Sequence, residues 1–133
     1  MFNFINVTFS DGLIVAGAVP IISPQTNNWP IEKILGDINK INPEAKIFPV
    51  FNSGWFNPHS FALESIKSNY KFSIGYYFND FKEPDFYILK TGRNTYDIDF
   101  RKAITYVLDN KLTLIKTYSL PDHAMAQVFK NIK

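Results

Sequence analysis

Two stretches of this chain repeat their apolar residues at helical spacing. Ile31, Ile34, Leu35, Ile38 and Ile41 share one face behind Trp29-Pro30, where proline suits a first helical position, and Asn42-Pro43 supplies the stop. Phe100, Ala103, Ile104, Val107 and Leu108 lie at i, i+3, i+4, i+7 and i+8, with Asp97 or Asp99 placed to cap the start and Asp109-Asn110 to end it. A helix over Pro58 to Ser68 follows from the Asn57-Pro58 pair, a cap and a first helical residue. A last helix is predicted to open at Pro121 and to carry Ala124, Val128, Phe129 and Ile132.

Between these runs the pattern changes to that of strands. Phe2 to Phe9 and Leu13 to Val19 flank Ser10-Asp11-Gly12 and read as a β-hairpin, and the unbroken apolar run Leu13 to Ile22 marks a strand buried on both faces. Lys46 to Phe51 is a strand in which Pro49 removes a ladder donor, which places it at an edge or a bulge. Lys71 to Phe78 and Asp85 to Thr91 are aromatic strands joined as a hairpin by the charged loop Asn79 to Pro84, and Lys111 to Tyr118 alternates as a further strand. The predicted order is ββαβαββαβα. It describes one α+β domain over residues 1–133, with a mixed sheet of about six strands and helices packed on it.

Composition narrows the function classes. The 133 residues contain no Cys, which excludes disulfides, thiolate metal sites and cysteine catalysis, and favours a cytoplasmic location. The longest apolar run is half the ~20 residues that a membrane helix needs, so no membrane is expected. Glycines are scattered singly, so no phosphate loop or dinucleotide fingerprint is present, and no cofactor is expected. Only His59 and His123 are available for acid–base work, each just after a proline and neither with a facing carboxylate, so no catalytic residue and no metal ligand is assigned. The formal charge of +2 hides an uneven distribution. Residues 79–99 net −2 and residues 100–133 net +4, a density too low to predict nucleic-acid binding.

What remains is a surplus of aromatics, 17% of the chain, around an acidic loop. Trp55, Phe56, Tyr77 and Tyr87 are candidate anchors for a protein partner, and Asp80, Glu83, Asp85, Asp97 and Asp99 are candidate charged contacts. The Asn-, Ile- and Lys-rich, cysteine-free composition suits an immunity protein, a stoichiometric inhibitor that neutralises one cognate bacterial toxin such as a basic nuclease. The alternative is a metal-dependent nuclease or other phosphodiesterase. There Asp85, Asp97 and Asp99 would grip a hard cation beside Lys102, as paired carboxylate oxygens do.

Overall fold

The computed structural model describes residues 29–75, 80–92 and 98–133. Helices α1 (Ile31–Ile41), α2 (Pro58–Lys67) and α3 (Ile98–Asp109) accompany five strands: β1 (Lys46–Val50), β2 (Ser73–Ile74), β3 (Phe86–Lys90), β4 (Thr113–Ser119) and β5 (Met125–Lys130). The sheet runs β2-β1-β3-β5-β4. β1 pairs in parallel with β2 and β3, while β5 is antiparallel to β3 and β4, so the sheet is mixed and the fold is α+β. The hairpin predicted over Phe2 to Val19 lies outside the described residues. Among those described, no helix is long and apolar enough to cross a membrane.

The helices form where local chemistry demands them. Asn57 is extended (φ −154°) and its side chain accepts the Ser60 N–H at 2.9 Å, so α2 starts with one of its orphan donors satisfied and Pro58 in its first turn. In α1 the apolar face predicted from spacing is the one buried, through Ile34, Leu35 and Ile38.

Strand alternation sends side chains to both faces of the sheet. Ile47, Phe51, Phe86, Ile88, Ala126 and Val128 point to one side, where they meet α1 and Phe61 of α2. Phe48, Val50, Tyr87 and Leu89 point to the other, where Phe100, Ala103 and Val107 of α3 cover them. The helices therefore lie on opposite faces of the sheet, α1 and α2 on one and α3 on the other.

Three expectations are corrected. β1 is interior, not an edge, despite Pro49. The Ala45 and Ile47 carbonyls accept from Ser73 and Gly75 on the β2 side, and Pro49, two residues on, faces the same way. Because β2 ends at Ile74, paired with Ile47, Pro49 lies beyond the last residue of β1 that β2 pairs with among the described residues. Second, β2 and β3 do not form a hairpin, since β1 lies between them. Third, the residues after Pro121 form β5 and not a helix. His123 N–H bonds to the Leu120 carbonyl at 3.1 Å and His123 takes φ +67°, so Pro121 is the second residue of a tight hairpin turn and not the first of a helix.

Candidate functional site

Topology singles out one place on this sheet. The chain leaves β1 through α2 toward β2, and leaves β3 through α3 in the opposite direction toward β4. β1 and β3 are adjacent and parallel, so their carboxyl ends flank the point at which the connections diverge, the usual position of a crevice in sheets with parallel strands. A crevice of about 380 Å³ lies there, lined by Ser53, Thr91, Gly92, Asp122, His123 and Ala124.

A buried ion pair involves one of its lining residues. Lys90, the last residue of β3, has a fully buried side chain whose ammonium lies 2.8 Å from Asp122 Oδ2 and 3.2 Å from the Thr91 carbonyl. Asp122 Oδ1 accepts the Ala124 N–H at 3.1 Å, which tightens the β4–β5 turn and turns His123 onto the crevice wall. Both Asp122 oxygens are engaged elsewhere, so this carboxylate does not orient the His123 imidazole as a catalytic relay requires. Thr91 Oγ1 likewise accepts the Met125 N–H at 2.9 Å. Gly92 sits at φ +78°, where a Cβ would come within 3.1 Å of the Ala124 Cβ, so the wall closes there only with glycine. The arrangement offers hydroxyl, imidazole and carboxylate groups to a polar ligand group.

Two large apolar side chains stand near this crevice in sequence. Trp55 is 37% exposed, two residues beyond Ser53, and Met125 is 44% exposed, next to Ala124. The turn that presents Trp55 is closed by reciprocal bonds between Ser53 and Phe56, with Gly54 at φ +55°. That turn sends neighbouring residues opposite ways. Phe56 is fully buried, stacked 4.4 Å from Phe51.

The predicted acidic loop is at the other end of the sheet. Asp85 precedes β3, and its Oδ2 accepts the Lys46 N–H at 2.8 Å while its Oδ1 accepts from the Lys133 ammonium at 2.9 Å. Lys133 also donates to the Glu83 carbonyl, and the Lys46 ammonium is 3.7 Å from the Glu83 carboxylate. Asp80 folds back to accept the Lys82 N–H at 2.9 Å. Two lysines far away in sequence thus offset the field that the loop's composition predicts. Tyr87 is fully buried, and its hydroxyl donates to the Phe81 carbonyl at 2.7 Å, so it is a core residue that secures the loop and not a surface anchor.

Of the residues for a metal-dependent reaction, Asp85 lies at the amino end of β3, whereas α3 begins beyond its carboxyl end. A five-residue strand spans roughly 16 Å, which separates Asp85 from the carboxyl end of β3. Lys102 lines a groove with Phe81, Arg101 and Tyr106. Tyr77, Asp97 and the Asp99 side chain lie outside the described residues. Among the described residues no three His, Asp or Glu side chains gather as metal ligands do.

Three carboxylates titrate below their ordinary value of 3.8. Asp37 is held down by the Tyr118 hydroxyl at 2.7 Å and then by Lys116. Burial pushes Asp85 and Asp122 up, but the Lys46 N–H with Lys133, and Lys90 with the Ala124 N–H, outweigh it. Because the folded values are depressed, the unfolded chain binds more protons as the pH falls, so this stabilisation is complete above about pH 5 and is lost below about pH 4. The midpoint of thermal unfolding should therefore stay level from pH 7 to 5 and drop toward pH 3. Asp122→Asn should flatten part of that slope. A midpoint that rises on acidification would contradict the pairing.

Comparison with family models, curated proteins and solved structures found no match. The class is therefore the one that the fold defines: an α+β domain built on a five-stranded mixed sheet, with a polar crevice at the point where its chain connections diverge. Sequence reasoning did not bring Lys90, Asp122 and His123 together, because a crevice made by three separate loops has no local motif. The one signal was Lys90 closing the apolar run Phe86 to Leu89, a charge where the pattern predicts burial.

Proposed function

We propose that this protein is a binding protein that docks a protein partner on the carboxyl-end rim of its sheet, and that it acts as a stoichiometric inhibitor of the immunity type, neutralising a cognate bacterial toxin. The observation that carries this reading is the crevice of about 380 Å³ whose lining residues Ser53 and Ala124 are followed in sequence by the exposed Trp55 and Met125. An exposed aromatic and a methionine within two residues of a polar cavity's lining match the composition at the centre of a protein interface, where a few rigid or adaptable apolar side chains supply most of the energy. Asp122 and His123 would receive a polar side chain of the partner. The acidic loop is a weaker candidate contact, because Lys46 and Lys133 already offset Glu83 and Asp85.

The test is capture of the native partner by tagged protein, followed by titration of the purified pair and assay of the partner's own activity. A one-to-one complex that silences the partner, and that Trp55→Ala weakens about 30-fold or more, is the expected result for a hot-spot residue. Neutralising Asp80 and Glu83 together should change affinity less than fivefold. A partner that binds Trp55→Ala as tightly as the parent protein, or that stays active in the complex, would overturn the proposal.

A further inference from the structure

The ion pair at the carboxyl-end crevice has a fixed order from inside to outside. The Lys90 side chain has no exposure, whereas the Asp122 side chain is 35% exposed and lines the crevice, and the two meet at 2.8 Å. Burial raises the pKa of Asp122, but the hydrogen bonds from Lys90 and the Ala124 N–H lower it by more, so the carboxylate is ionised at neutral pH. The outward end of the pair is therefore negative. A charge that meets the carboxylate from the crevice side would lie roughly 3 Å from it and roughly 5 Å from the ammonium, so the nearer group sets the sign of the interaction.

Hydrogen-bonding capacity points the same way. An ionised carboxylate accepts at about four positions. Lys90 occupies one on Oδ2 and the Ala124 N–H one on Oδ1, and the N–H of Asp122 itself turns to the same group, which leaves room for a donor from the crevice. Thr91 Oγ1 accepts the Met125 N–H and can accept a second bond. The Ser53 hydroxyl suits either sign of ligand, and His123, the other titratable group of the lining, offers an acceptor nitrogen when neutral. The carboxylate decides between the signs, and because it is held from two sides it needs little ordering when a ligand arrives.

We infer that the crevice takes a cationic side chain, arginine or lysine, from the docked partner, with Asp122 as its counter-charge and Thr91 and Ser53 as further acceptors. That the cation belongs to a partner rests on the binding reading above. The sign of the crevice rests on Asp122 and Lys90 alone. It agrees with a basic toxin, whose positive surface a negative crevice complements.

Titration of the full chain, without a partner, by ethylguanidinium, by its neutral counterpart ethylurea and by propionate tests the sign, with amide chemical shifts as the readout. Ethylguanidinium should move the Thr91, Gly92, His123 and Ala124 amides along saturating curves, about fivefold or more tighter than ethylurea does. The amides beside the exposed Glu44, before β1 at the other end of the sheet, should respond more weakly. Asp122→Asn should reduce the ethylguanidinium response to that of ethylurea, with its thermal midpoint as the check on folding. Equal responses to ethylguanidinium and ethylurea in the parent protein, a stronger one to propionate, or no saturating response at all would each overturn the inference without any variant. A captured partner that Trp55→Ala weakens and Asp122→Asn does not would overturn it too, and would leave the binding reading standing. A guanidinium preference together with a partner that stays active in the complex would support the sign of the crevice and overturn the inhibitor reading.

Discussion

Phe56→Ala is expected to lower the unfolding free energy by about 4 kcal/mol, in the range for removing a buried ring. Phe56 is the centre of an aromatic group: its ring centroid is 4.4 Å from Phe51, 5.2 Å from Phe61 and 5.2 Å from Trp29. These rings tie the end of β1, the start of α2 and the start of α1 into one body, so a cavity here has little freedom to collapse. The adjacent Trp55→Ala should lose about 1 kcal/mol or less, because that side chain is 37% exposed. Urea midpoints of the two variants measure the contrast. Equal losses would show that the Ser53–Phe56 turn does not divide its aromatics between core and surface.

Asn131→Ala is expected to cost about 3 kcal/mol without removing any hydrophobic contact. The buried side-chain amide of Asn131 donates to the Phe81 carbonyl at 2.9 Å and the Pro84 carbonyl at 2.8 Å, and its oxygen accepts from the Tyr106 hydroxyl at 2.9 Å and the Ile132 N–H at 2.8 Å. All four of these bonds converge on one side chain, which locks the 80–85 loop to α3 and to the end of β5. Truncation orphans Pro84 and Tyr106 at about 1–3 kcal/mol per buried group. Asn131→Asp keeps the shape but offers acceptors to two carbonyls. It should be at least as damaging at pH 7 and partly recover on acidification, when one oxygen is protonated. Denaturant midpoints at pH 7 and 4.5 decide it. Full stability of Asn131→Asp at pH 7 would mean that the amide does not hold the loop.

The helices α1 and α2 were legible in the residues themselves. Their start and stop signals are local, prolines at their starts and an Asn57 oxygen aimed at Ser60, and the buried face of α1 follows from spacing, whereas in α2 the apolar Leu63 and Ile66 are exposed and Ser65 is buried. The stretch after Pro121 was not. Ala124, Val128 and Ile132 satisfy a four-residue spacing, Ala126 and Val128 satisfy a two-residue one, and proline holds the same φ in a first helical turn as in a tight turn. The tie is broken from outside the segment, by β3 on one side and β4 on the other, which pair with it along most of its length.

The candidate site divides along the same line. Composition and turn chemistry mark the Trp55–Phe56 loop and the charged loop as unusual, and they determine an α+β domain without cysteine thiols. They do not show that Phe56 and Tyr87 turn inward, or that Lys46 and Lys133 come to Glu83 and Asp85 from 37 and 48 residues away in the chain. Nor do they show that Ser53, Gly92 and His123 meet. Local spacing and capping determined the helices because each of those interactions spans four residues or fewer. Strand order, the neutral acidic loop and the crevice were decided only in the tertiary structure, because each depends on which distant segment fills a neighbouring place in the sheet.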